Sequence, residues 1–302
     1  MVQILDGTAI SARIRAEIKA EIADNQSTDE NTRRSITPPC LAVVLCSSDP
    51  ASEVYVKKKQ EACAEVGINS FLIKPFQGGI ENWFHPMDHL ISTIKWLNED
   101  RSVNGILVQL PLPNGLKPQR VFDAINPLKD VDVFSPTNVG LLLQGRPRFV
   151  PCTPQGIQEL LTRSGVRIAG KQVAIINRSD IVGKPLSALL MQDHGEANAT
   201  VVTCHDQTPP ERLKQVCLAS DIIVVAVGKP GFLTADMVPD GAVVVDVGIN
   251  RLENKKIVGD VDFEPVSAKA SWISPVPGGV GPMTVTMLLR NTLLAQDCQR
   301  RS

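Results

Sequence analysis

"KQVAIINRSDIVGKPLSALL", residues 171–190, decides the architecture of this chain. It opens with an apolar, β-branched run of strand length, and a polar turn interrupts that run before apolar residues resume around Gly183 and Pro185. A buried strand that turns directly into a helix is the opening unit of a doubly wound, Rossmann-like nucleotide-binding domain. In an open α/β sheet that turn meets a nucleotide phosphate with backbone N–H groups and the helix N-terminus. As a G-x-G-x-x-G fingerprint the stretch is poor, because Asn177 and Ser179 occupy glycine-like positions and only Gly183 remains. An ordinary turn therefore stays open as a reading of the spacing. Arg178 and Ser179 weigh against it, since a guanidinium and a hydroxyl together can hold an extra phosphate.

The same rhythm continues on both sides. Toward the C-terminus, "ATVVTCH" (199–205), "DIIVVAVG" (221–228) and "GAVVVDVG" (241–248) read as further strands with helices between them. Toward the N-terminus, "CLAVVLC" (40–46), "SFLIKPF" (70–76) and "GILVQLPLP" (105–113) alternate with helical stretches at 11–24, 55–68 and 87–100. Near-continuous apolar strands separated by helices predict parallel sheets covered on both faces, an α/β chain. We divide it at "VPCTPQG" into a first domain, 1–150, and a dinucleotide-binding domain, 151–282. A last apolar helix follows the glycine-rich "PVPGGVGP" (275–282). The polar segment 25–39 reads as a surface loop.

With 302 residues, 43% hydrophobic and 21% charged, the composition is that of a globular protein of about two domains. A formal net charge of −1 supplies no basic field, which argues against nucleic acid as a partner. No apolar run reaches the roughly 18 residues of a membrane span, and "MVQILDG" lacks a signal-peptide pattern, so we expect a cytoplasmic protein with no membrane partner. The seven cysteines include no C-x-x-C pair and read as reduced, mostly buried thiols. His85 and His89 are four apart, but Pro86 lies between them and no third ligand is evident, so we expect no metal.

Candidate chemistry sits in the first domain. In "YVKKKQEACAEVGI" (55–68), Asp49 suits an N-cap, Pro50 the first helical position and Gly67 the stop. At about 100° per residue, Lys57 and Lys58 share a solvated face with Glu61 and Glu65. Lys59 instead lies about 40° from Tyr55, on the arc of Ala62, Cys63 and Val66. It either lays its stem along the core edge with the amine in water, or holds an amine partly withdrawn from water and able to exchange protons. Gln109 falls near the carboxyl end of a buried parallel strand, where ligands collect, though a buried amide can equally serve a loop. Asp130 and Asp132 in "KDVDVFSPTNVG" (129–140) either fix turns or face a ligand. The glycines and prolines of "PVPGGVGPMT" (275–284) suit a linker or a backbone that approaches a flat ligand closely.

Taken together, these segments resemble the bifunctional methylenetetrahydrofolate dehydrogenase/methenyltetrahydrofolate cyclohydrolase family over nearly the whole chain. The resemblance is carried by "PASEVYVKKKQEACAEVGI", "GILVQLPLP", "KDVD…NVG", "PCTPQGI", "RSDIVGKPL", "DVGINR", "VGDVDF" and "PVPGGVGPMT" in this order. It implies two α/β domains flanking a cleft, with the last helix, 283–302, returning to the first domain, and a homodimer. It implies oxidation of 5,10-methylenetetrahydrofolate with NADP, followed by hydrolysis of the methenyl product to 10-formyltetrahydrofolate.

Residue by residue, Lys59 matches the catalytic lysine of that family and Tyr55 its substrate-stacking tyrosine. Gln109 matches the glutamine bonded to the lysine, and Asp132 the aspartate that grips the pterin. The implied folate surface adds Val56, Lys57, Lys58, Val108 and Leu110. It is closed by the loop Pro277, Gly278, Gly279, Val280, Gly281, Pro282, Met283 and Thr284. Asn177, Arg178, Ser179 and Ile249 fall at cofactor-contact positions. Asp206, just beyond the second strand of the nucleotide domain, is the acidic residue expected of an NAD site and conflicts with Arg178, so NADP is favoured with weak discrimination against NAD.

The chain departs from the family in three places: Val133 and Asn177 stand where glycine is usual, and "CSSD" precedes "PAS" where many members have a glycine-containing "VG". If position 133 requires a positive φ, valine is expected to impose a different turn and shift Asp132. The alternatives are a monofunctional, possibly NAD-dependent dehydrogenase, which would be expected to lack Lys59, and a folate- or nucleotide-binding paralogue without turnover.

Overall fold

The computed structural model describes residues 2–27, 37–76 and 78–301. In chain order the first elements are β1 (Gln3–Ile4), α1 (Gly7–Ser27), β2 (Cys40–Leu45), α2 (Pro50–Val66) and β3 (Asn69–Ile73). They are followed by α3 (Pro86–Glu99), β4 (Gly105–Gln109), α4 (Pro118–Ala124), α5 (Pro136–Leu143) and α6 (Cys152–Arg163). Next come β5 (Gln172–Ile176), α7 (Gly183–Leu190), β6 (Thr200–Cys204), α8 (Pro210–Leu218), β7 (Ile222–Val225) and β8 (Val243–Asp246). The chain closes with β9 (Asn250–Arg251), β10 (Ile257–Val258), α9 (Phe263–Ser267), β11 (Trp272–Ile273) and α10 (Val280–Arg300). Most of the loop expected at 25–39 lies outside the described residues.

One compact unit comprises Arg13–Leu141, Arg148–Val150 and the chain from Leu288 onward. Its sheet is parallel, in the order β3-β2-β4, and the register sets Leu45 beside Gln109 at the carboxyl edge. Leu41 through Leu45 are buried, as a central parallel strand covered on both faces requires. Helix α3 buries Leu90, Ile94 and Leu97, one stripe at helical spacing, against Val44, Ile106 and Val121. From α10, Asn291 donates to the carbonyls of Val131 and Val150, both at 2.9 Å, and so holds the segment that carries Asp132.

The second unit comprises residues 2–12, Leu142–Pro147 and Pro151–Met287. Its six strands run in the order β1-β11-β8-β7-β5-β6, all parallel. Strand β6 lies on one side of β5 and β7 on the other, so the switch point where ligands bind in such sheets falls at the carboxyl ends of β5 and β7. Ile176, Cys204, Val225, Val244 and Ile273 share the core beneath it. A boundary at residue 150 misses one feature: β1 pairs with β11, Gln3 beside Trp272, so the first residues of the chain belong to this unit. The sequence assigned the last helix whole to the first domain, whereas here the division falls inside it, between Met287 and Leu288.

Candidate active site

Helix α2 begins as its sequence requires. The Asp49 carboxylate accepts from the amide and the hydroxyl of Ser52, both at 3.1 Å, and Gly67 ends the helix at φ 88°. This fixed register separates the three lysines. Lys57 and Lys58 are exposed, and Lys57 pairs with Glu61 at 3.9 Å. Lys59 is half-buried, and its Nζ donates to Gln109 Oε1 at 3.0 Å. The other end of that amide is anchored too, with Gln109 Nε2 donating to the Leu110 carbonyl at 2.6 Å. An amide whose NH2 is held by a carbonyl must turn its oxygen the other way, toward the amine. One turn before Lys59, Tyr55 exposes 42% of its surface.

The two aspartates of "KDVD" divide their roles. Asp130 is buried and accepts from the amides of Phe134 and Ser135 and from Asn138 Nδ2, so it fixes the turn. Asp132 is half-exposed. Val133 adopts φ 65° with its side chain buried, so this position is left-handed in spite of the β-branch. His89 stacks on Trp83 at 4.0 Å and sets Nε2 3.1 Å from the Pro75 carbonyl.

In the nucleotide unit, Asn177 organises the turn after β5. Its Oδ1 accepts from the Ser179 amide at 2.8 Å, the Ser179 hydroxyl at 2.7 Å and the Gly183 amide at 2.9 Å. Ser179 Oγ also accepts from the Val182 amide. A Cβ on Gly183 would stand 2.1 Å from the Asn177 carbonyl oxygen, which is why glycine survives there. The first amides of α7 are thus occupied from within, and the Ser179 hydroxyl gives its proton to Asn177. Arg178 is left as the exposed cation of the turn, in an ion pair of 2.5 Å with Asp206. The Gln207 amide and then Arg178 hold the Asp206 carboxyl below its ordinary range, so it is anionic at neutral pH.

Ile249, after β8, exposes 53% of an apolar side chain. Gly228, after β7, sits at φ 68° with no heavy atom within 4 Å of where a Cβ would stand. An exposed cation, an exposed apolar side chain and an open backbone around one switch point fit a dinucleotide.

Of the glycines of "PVPGGVG", Gly279 meets the chain's own backbone, whereas a Cβ on Gly281 would meet nothing within 4 Å. A Cβ on Gly7 would stand 1.8 Å from the Gly279 oxygen, and one on Gly279 2.6 Å from the Pro275 oxygen. Pro277 and Gly281 are exposed, Gly278, Pro282 and Thr284 are half-buried, and α10 already begins at Val280. Val56, Val108, Val280 and Met283, expected on the folate surface, have buried side chains that pack in the cores; Met283 closes on Gly156. Sequence reasoning passed over Asp246 and Asp260, both buried. The signal available was a glycine beside each, in "DVG" and "GD".

Comparison with known proteins agrees across the whole chain. Residues 5–132 match the tetrahydrofolate dehydrogenase/cyclohydrolase catalytic domain, and residues 151–300 the NAD(P)-binding domain of the same family. The bifunctional protein FolD of Acetivibrio thermocellus is 47% identical over 99% of this chain and 98% of its own. The crystal structure of the bifunctional FolD methylenetetrahydrofolate dehydrogenase/cyclohydrolase from Campylobacter jejuni superposes with a TM-score of 0.90 at 44% identity, covering 99% of this chain and 100% of its own. The FolD enzyme of Trypanosoma brucei, solved with NADP and an inhibitor, gives 0.87 at 35% identity, covering 100% of this chain and 99% of its own.

Proposed function

Since the chain belongs to the tetrahydrofolate dehydrogenase/cyclohydrolase family, we propose that it oxidises 5,10-methylenetetrahydrofolate with NADP and then hydrolyses the methenyl product to 10-formyltetrahydrofolate. The observation that carries hydrolysis is the Lys59–Gln109 bond at 3.0 Å, on a chain whose other unit fits a dinucleotide. Tyr55 offers a ring face to the flat folate ring, and Asp132 accepts hydrogen bonds from its aminopyrimidine edge. Arg178 and Ile249 hold the cofactor, which supplies the hydride acceptor when bound. Oxidation asks the protein mainly for alignment.

Hydrolysis asks for proton transfer. Water adds its oxygen to the methenyl carbon, and the proton it sheds passes to the Lys59 amine. The adduct's hydroxyl then loses its proton as the bond from carbon to N5 breaks. N5 takes a proton from Lys59, and one proton goes to solvent overall. Gln109 holds one Nζ hydrogen and so directs the rest of the amine toward substrate.

The formyl product suits reactions that transfer a formyl group, purine biosynthesis among them. We further propose a cytoplasmic homodimer; among the described residues no helix is long and apolar enough to cross a membrane. Absorbance tests the assignment. The methenyl and reduced-nicotinamide bands should rise together with methylenetetrahydrofolate and NADP, and the methenyl band alone should then decay. A stable methenyl band would leave only a dehydrogenase; no rise in either would remove the enzyme.

A further inference from the structure

Two buried aspartates lie outside the chemistry described so far. Asp246 ends β8, Asp260 follows β10, and their side chains interlock through two glycines. A Cβ on Gly259 would stand 1.9 Å from Asp246 Oδ2, and one on Gly248 would stand 2.3 Å from Asp260 Cγ. Each carboxylate therefore fills the space left by the glycine beside the other. Asp246 accepts from the amides of Gly248, Asp260 and Val261, each at 2.9 Å. Asp260 accepts from the amides of Val227 at 2.6 Å, Gly228 at 3.0 Å and Lys229 at 2.8 Å, and from Asn250 Nδ2 at 2.8 Å.

Three successive amides converging on one buried carboxylate fix the loop that follows β7. That loop lies at the switch point, on the side away from β6, and Asn177 Nδ2 ties it to the turn after β5 through the Ala226 carbonyl at 2.5 Å. Ile249 is held between Gly248, which abuts Asp260, and Asn250, which bonds to it.

We propose that Asp260 is a positioning residue for the dinucleotide, fixing the 227–229 loop and Ile249 as the wall for the half of the cofactor remote from Arg178. This rests on the dinucleotide reading of the site. A carboxylate is required because an asparagine would turn an NH2 toward converging N–H donors. Arg178 and Asp206 lie at the ends of β5 and β6, whereas the groups Asp260 holds follow β7 and β8. Losing Asp260 therefore weakens NADP and NAD binding alike.

The test is Asp260→Asn, with dissociation constants for NADP and NAD measured calorimetrically without folate. Amide exchange at residues 227–229 and hydrolysis of added methenyltetrahydrofolate, which consumes no nucleotide, are measured in parallel. We expect both constants to rise by about tenfold with their ratio unchanged within about twofold, and hydrolysis to stay within about threefold of wild type. Exchange at the three amides should accelerate. Wild type that binds neither nucleotide defeats the dinucleotide reading, and this proposal with it. Wild type that binds, beside an Asp260→Asn protein with unchanged constants, overturns the positioning role alone; a changed ratio does so too. If Asp260→Asn does not fold, Asn250→Ala decides, since it removes a single donor to Asp260: a rise of about threefold in both constants supports the proposal, and no change overturns it.

Discussion

Arg178 and Asp206 meet at 2.5 Å on an exposed turn, and either nicotinamide cofactor has to part them. A 2′-phosphate needs the guanidinium; free ribose hydroxyls need the carboxylate. An exposed pair of this kind is screened by solvent and holds its partners only weakly. A charge-assisted bond from Arg178 to phosphate gives about 1.5–3 kcal/mol, so NADP should win by a narrow margin. Asp206→Ser should raise the NADP-to-NAD ratio of kcat/KM by about tenfold. A wild type that prefers NAD, with the preference reversed in the serine variant, would show the NADP assignment to be wrong. Val133 poses a second question at this scale. A left-handed β-branched residue costs about 1–2 kcal/mol, and burying its side chain returns about 1.5–3. Val133→Gly should therefore change urea stability by no more than about 2 kcal/mol. A loss above about 3 kcal/mol would mean that packing alone rules there. That valine adopts a left-handed turn was not legible in "KDVDV", because Asp130 enforces it through the Phe134 and Ser135 amides, bonds that exist only once the loop has closed.

Among the elements, helix α8 is moored by Lys214 Nζ to Asp236, in the short turn Ala235–Met237. The Lys214 bond first, and the Thr234 hydroxyl next, hold the Asp236 carboxyl down at about 2 from an ordinary 3.8. A carboxyl depressed in the fold stabilises above its unfolded value, and the benefit disappears as pH falls through its folded value. Asp236→Asn should therefore lower urea stability at neutral pH and leave it unchanged below pH about 2. Equal losses at both would assign the effect to packing. The long strands were legible because four or more consecutive apolar residues are the physical requirement of a doubly covered sheet. Strands β1 and β11 and the β9–β10 hairpin have two residues each, too few to carry a period, and β1 finds its partner about 270 residues away. Asn177 was expected at the cofactor as a stand-in for glycine, yet its side chain serves α7 and the neighbouring loop. The Asp246–Asp260 knot was hidden for the same reason: its donors come from three separate stretches of chain, 227–229, 248–250 and 260–261.

Across the whole molecule, the two reactions depend on different parts. Oxidation needs alignment of folate and nicotinamide; hydrolysis needs in addition a lysine that moves a proton. The lysine stands in one compact unit, and the residues assigned to the nucleotide stand in the other. Helical register singled out Lys59 from its two neighbours, and the family resemblance supplied its partner, Gln109. The separation can be read directly by following decay of the methenyl band in a single turnover of added methenyltetrahydrofolate, for wild type, Lys59→Met and Lys95→Met, an exposed lysine of α3, alongside calorimetric NADP binding by each. Lys59→Met should abolish decay above the uncatalysed rate with its NADP dissociation constant within about twofold of wild type, and Lys95→Met should match wild type in both. Hydrolysis by Lys59→Met that falls less than about tenfold, under roughly 1.4 kcal/mol of barrier, would contradict the account by removing Lys59 from the proton transfer.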